Sequence, residues 1–175
     1  MPATISANLV AKLTVNYTPD SSGAPAAQNG QSWALGEYDK NWTLSSSTTP
    51  NTAGEPLDLT TTIGGAATTY DLTAAPWAVD VNVNKDVSGN KLVGFIAVAD
   101  STNSGSVTIE PNASNGYNLF GASDGKLVLP PGMRVAFGFD SVASGLPAVA
   151  AGAKNIDVSG TTSDVVNILM VFSSN

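Results

Sequence analysis

The 175-residue chain contains no histidine and no cysteine. Without histidine it lacks the commonest neutral-pH general base and the commonest metal ligand, which argues against most hydrolase schemes. Without cysteine it forms neither disulfides nor thiolate metal sites, a composition that fits a reducing compartment. Charge is scarce too: Asp, Glu, Lys and Arg make up 12% of the residues, against roughly 25% in a typical soluble domain. The seven Lys and Arg are scattered singly, so no grouped cations await nucleic-acid phosphates. No apolar run approaches the roughly 18 residues of a membrane-spanning helix. The start, MPATISANLVAKLTV, lacks the basic and continuously apolar regions of a secretory signal. The expectation is synthesis in a cytoplasm, with no membrane attachment and no cofactor.

What replaces charge is Ser, Thr, Asn, Gly and Ala, with 42% hydrophobic residues and a net charge of −7. Such a chain buries a core and presents hydroxyl-bearing strand faces, surfaces suited to packing against neighbours. The length suits one domain, residues 1–175, with residues 1–8 as an arm and the Pro/Gly/Ser-rich stretch 19–32 as a loop.

Along the chain the hydrophobic period is two. Leu9, Ala11, Leu13, Val15 and Tyr17 alternate with polar residues, as a half-buried strand requires. A strand is expected around Trp42–Leu44, and another through Leu57, Leu59 and Ile63, with a short edge segment near Tyr70. WAVDVNVN and LVGFIAVA, joined by DVSGN (residues 77–99), read as a hairpin with Val79, Val81 and Val83 on one face. LVGFIAVA is apolar on both faces, which predicts a central strand covered on each side. GSVTIEP (105–111) predicts a further strand. In KLVLPPGMRVAFGF (126–139), Pro130–Pro131 cannot lie inside a paired strand and Gly132 suits a positive φ, so a second hairpin, strand–turn–strand, follows. Met133, Val135, Phe137 and Phe139 share one face of its second half. Residues 144–155 read as a loop with room for one helical turn, and NIDVSGTTSDVVNILMVFSSN closes the chain with a short strand, a turn and a buried terminal strand, Val165–Phe172. About nine strands and no convincing helical period predict an all-β fold, an antiparallel β-sandwich of jelly-roll type.

Candidate chemistry is thin. Asp80, Asn82, Asn84 and Asp86 alternate as calcium ligands do, but Lys85 and Lys91 stand where an EF-hand needs Gly and Glu. A polar strand face accounts for the spacing. Fourteen acids single out no glycosidase pair. GASDGK (121–126) lacks phosphate-loop spacing, and no serine lies in a nucleophile elbow. The sequons at Asn16, Asn41 and Asn112 are chance in so Asn- and Thr-rich a chain. No catalytic, cofactor or metal residue is assigned. The candidate interaction residues are Trp33, Trp42, Trp77, Tyr38 and Tyr70, as core or interface anchors first and a sugar-stacking platform second.

The layout from NWTLSSSTTPNTAGEPLDLTT, through NKLVGFIAVADSTNSGSVTIEPNASNGYNLFGASDGKLVLPPGMRVAFGFD, to NIDVSGTTSDVVNILMVFSSN resembles small virion-associated proteins of tailed bacteriophages over most of residues 40–173. The element LPPGMRVAF carries the likeness, whereas the terminal VVNILMVF departs from the Gly-ended finish of the pattern. The resemblance implies a non-enzymatic capsid decoration protein, located in the virion. It implies a homo-oligomer, a trimer by preference, whose partners are the major capsid protein or other virion proteins. The alternative is a glycan- or receptor-binding sandwich of a phage tail or spike; a hydrolase with paired carboxylates is the remaining class.

Overall fold

The computed structural model describes residues 6–13, 38–45, 56–78, 80–121, 124–139 and 146–173, with residues 6–13, 38–45 and 80–81 as backbone alone. The chain divides into two compact units, residues 10–41 and the remainder. Strands β1 (Ser6–Leu13) and β2 (Tyr38–Ser45) pair with each other as a two-stranded sheet. Residues 6–8 of the expected arm thus belong to β1, while residues 1–5 and the 19–32 loop lie outside the described residues.

Eleven further strands build two antiparallel sheets. They are β3 (Pro56–Asp58), β4 (Thr61–Thr62), β5 (Thr68–Asp71), β6 (Ala75–Trp77), β7 (Asp80–Lys85), β8 (Leu92–Ala99), β9 (Val107–Pro111), β10 (Leu127–Leu129), β11 (Arg134–Gly138), β12 (Asn155–Ser159) and β13 (Val165–Phe172). The larger sheet runs β11-β8-β13-β3-β6-β7, with β4 also on β13; the smaller runs β10-β9-β12-β5. The pairings are nested: β9 with β10, β8 with β11, β5 with β12, and β3 and β4 with β13. Nested pairs distributed over two facing sheets make a jelly roll. The expected fold class is therefore the observed one, with thirteen strands in place of nine among the described residues. The strands without an expected counterpart, β4 and β6, are two and three residues long, too short to show a period of their own.

One apolar core lies between the sheets. Leu57, Phe95, Ala97, Val166, Ile168, Met170 and Phe172 from the larger sheet meet Val107, Ile109, Leu129, Ile156 and Val158 from the smaller, all buried. Every second residue of β13 points inward, because alternate strand residues face opposite sides. Each such large side chain contributes about 1.5–3 kcal/mol relative to exposure.

Two expected hairpins are not hairpins. β7 pairs with β6, and β8 pairs with β11 and β13. The DVSGN turn does form: Asp86 Oδ1 accepts from Ser88 N–H at 2.8 Å and Gly89 has φ +82°. It redirects the chain, since β8 is apolar on both faces and takes the centre of the sheet, leaving β7 at the edge. Val83 is accordingly 42% exposed, not core-facing. Likewise β10 and β11 lie in different sheets. The Pro130–Gly132 segment is a corner between them, closed by Met133 N–H donating to Pro130 O at 3.0 Å, with Gly132 at φ +77°. Met133, expected on the apolar face, is 40% exposed at this corner. Residues 146–155 hold bridges and turns and no helical turn.

Candidate functional site

The outer face of the larger sheet is built from the second set of side chains on its central strands. Leu169 is directly opposite Ile96 on β8 and Asp58 on β3, and Ile96 is opposite Ala136 on β11. Ala136, Ile96, Leu169 and Asp58 therefore form one row across four strands. The next row, two residues along, holds Arg134, Val98 and Asn167. Leu169 is 39% exposed, Ala136 is exposed, and Ile96 and Val98 are half-buried. The cover expected on both sides of β8 is thus complete only on the inner side. Asp58, Thr60, Ile96, Val98, Asn167 and Leu169 line a shallow open depression of about 270 Å³.

Charge sits at the ends of this face. Arg134 is exposed on β11 and has no ion-pair partner among the described residues. Asp58 stands on β3, three strands away, where Thr60 N–H donates to its Oδ1 at 2.9 Å. Between them the face is aliphatic apart from Asn167. An uncharged apolar strip with opposite charges at its two ends is the chemistry of a contact surface.

The aromatic residues expected to mediate interaction are arranged otherwise. Trp33 lies outside the described residues, and Tyr38 and Trp42 fall on β2, where only backbone is described. Trp77 is half-buried on β6, with Lys85 Nζ 4.4 Å from its ring centroid. Its indole nitrogen is buried without a hydrogen-bond partner among the described residues. Tyr70 is on β5 of the other sheet, packed against the core, and its hydroxyl donates to Thr60 O at 3.4 Å; burial raises its pKa above the usual value. Trp77 and Tyr70 thus belong to opposite sheets and share no stacking plane.

Sequence reasoning set Phe137 on a strand face with Phe139 but missed the aromatic cluster it joins. Phe95 and Phe137 stack with centroids 4.8 Å apart, and Phe120 meets both edge-on. They form one end of the core beneath β8 and β11. The inward positions of Phe95 on β8 and Phe137 on β11 were the available signal, while Phe120 lies in the loop between β9 and β10. The outer-face residues had a signal as well: β8 is apolar on both faces, and β13 carries Val165, Leu169 and Val171 between its inward residues, with Asn167 its one polar residue.

The other polar motifs are used internally. Asn112 Nδ2 donates to both oxygens of Asp157, at 2.9 and 2.8 Å, so its amide is already engaged. Asp164, 2% exposed, accepts from Ser104 N–H at 2.7 Å, Ser104 Oγ at 3.1 Å and Gly105 N–H at 3.1 Å. Burial acts to raise its pKa, but these hydrogen bonds and one from Thr161 outweigh it and hold the carboxyl below the ordinary range. Asp164 thereby ties the β8–β9 loop to the start of β13. Among the described residues no group of three acids is arranged to hold a metal ion, and no helix is long and apolar enough to cross a membrane.

No family model matches the chain, and no curated protein matches it. A solved structure of Bacillus endospore appendages, described as forming a novel family of disulfide-linked pili, is similar at 14% sequence identity, with a TM-score of 0.41. The match covers 72% of this chain and 90% of that one.

Proposed function

We propose that the protein is a non-enzymatic structural component of a bacteriophage virion, a decoration protein of the capsid held there as a homo-oligomer and in contact with the major capsid protein. Jelly rolls serve many functions, including capsid and lectin roles, so the fold alone does not carry this reading. The observation that carries it is the outer face of the larger sheet, where Ala136, Ile96, Val98 and Leu169 leave aliphatic surface on a rigid antiparallel support. Covering such a face removes apolar area from water at about 25 cal/mol per Å² and desolvates few charges. The resemblance of the chain's layout to phage virion-associated proteins supports the same role.

Mass spectrometry and cryo-electron microscopy of purified phage particles test it. Copies of the chain on the capsid lattice are expected; particles that contain none defeat the proposal.

A further inference from the structure

We infer that the outer face of the larger sheet binds a second copy of this chain, face to face about a two-fold axis that runs along the strands between β8 and β13. This deepens the virion reading by naming the oligomer contact, and it rests on that reading for its biological setting only. The strand order across the face is β11-β8-β13-β3. Rotation about an axis between the two middle strands lays β11 of each copy over β3 of the other. The exposed Arg134 on β11 then faces Asp58 on β3, twice in each pair, as an isologous interface requires. Arg134 lies one two-residue repeat along the strands from the Asp58 row, an offset of about 7 Å that an extended arginine side chain spans.

Leu169 and Ile96 occupy the middle, on the two strands flanking the axis, so Ile96 of each copy meets Leu169 of the other. The face is thus complementary to itself in both respects: apolar in the centre, basic at one end and acidic at the other. Rotation about an axis across the strands would instead lay β11 on β11 and set Arg134 against its own counterpart. The four strands, five, eight, eight and three residues long and about 4.8 Å apart, project an area of about 400 Å² per copy. Both sides together come to about 800 Å², the size of a weak, transient contact, so pairing is expected to depend on concentration.

Sedimentation and light scattering of the full chain across a wide concentration range provide the test. The expected result is a reversible monomer–dimer equilibrium, weakened at least tenfold by Leu169→Asp with the melting temperature kept, since that side chain faces outward. Arg134→Glu alone and Asp58→Arg alone should each weaken pairing, through two like-charge contacts per dimer. Mixing these two variants should restore it, because every contact in the mixed pair is again between opposite charges. Ala136→Glu is a second disruption at an exposed site, should Leu169→Asp perturb folding.

A chain that stays monomeric at all concentrations, a threefold mass, a dimer indifferent to these substitutions, or a failure of the mixed pair to recover would each overturn the inference. Loss of pairing in a chain still found in particles leaves the virion reading standing; pairing by a chain absent from particles does the reverse.

Discussion

The Tyr117 hydroxyl donates to the Pro147 carbonyl at 2.8 Å, joining two loops thirty residues apart, from inside a core where the ring is fully buried. The same oxygen accepts from Leu92 N–H at 3.4 Å, at the start of β8. Tyr117→Phe keeps the ring and leaves the Pro147 carbonyl without this donor, so a loss of about 1–2 kcal/mol is expected. Denaturant titration of the two proteins measures it.

Burial pushes the Tyr117 pKa up to about 12, above the unfolded value of about 10. A raised native pKa means the unfolded chain releases this proton first. The associated stability is complete below pH of about 10 and is lost as pH rises toward the native value. Wild type should therefore lose stability over that window more steeply than Tyr117→Phe, and phenolate absorbance should report one tyrosine that ionises only with unfolding.

Acid acts through the opposite sign. The hydrogen bonds to Asp164 and Asp100, and those from Lys154 and Thr73 that outweigh burial at Asp71, hold these carboxyls below their ordinary pKa. The stability they supply is present above pH of about 4 and disappears as pH falls through the native values. Asp164→Asn should lower the melting temperature at neutral pH and flatten the acid side of the stability profile. Equal slopes for variant and wild type would show that the loop tie contributes nothing.

A Cβ on Gly116 would collide with the backbone carbonyl of Asn112 and lie 2.8 Å from Pro111 Cβ, whereas one on Gly65 would meet nothing within 4 Å. Gly116→Ala should cost about 1–3 kcal/mol, as overpacking does, and Gly65→Ala should stay within about 0.5 kcal/mol. Thermal melts of both, side by side, decide it.

Phe95 is 1% exposed and stacked on Phe137. Phe95→Ala should cost about 3–5 kcal/mol through the cavity it leaves. A much smaller loss, read from the denaturant midpoint, would mean that Phe120 and Phe137 collapse into the gap.

Elements whose side chains alternate between core and solvent were legible in the sequence. Val165–Phe172 is β13 residue for residue, Leu57, Leu59 and Ile63 are all buried, and the Pro130–Gly132 break stands where expected. Pairing was not legible. Asp86–Asn90 encodes a turn, but nothing local specifies whether the following strand returns beside β7 or leaves for β11 and β13. That choice belongs to β8, whose two apolar faces gain most at the centre of a sheet. The contact face was half legible: Ile96 and Val98 on β8 announced burial on both sides, while the exposure of one side follows only from the strand order. Trp and Tyr were the natural candidates by residue type, yet Trp77 and Tyr70 are held by their own sheets, and the outward positions between Arg134 and Asp58 are small or aliphatic.

The nesting of the strands also dictates a sequence of events. β13 is the seam of the larger sheet, bonded to β8 on one side and to β3 and β4 on the other, and β4 and β13 are separated by nearly the whole sandwich. Contacts so distant along the chain close late and slowly. Until residues 165–172 arrive, β3 and β8 have no neighbour between them and the apolar sides of both sheets remain wet. Premature termination just before Val165 would therefore abolish the domain outright, leaving an aggregation-prone fragment where a shortened edge strand would merely have weakened it.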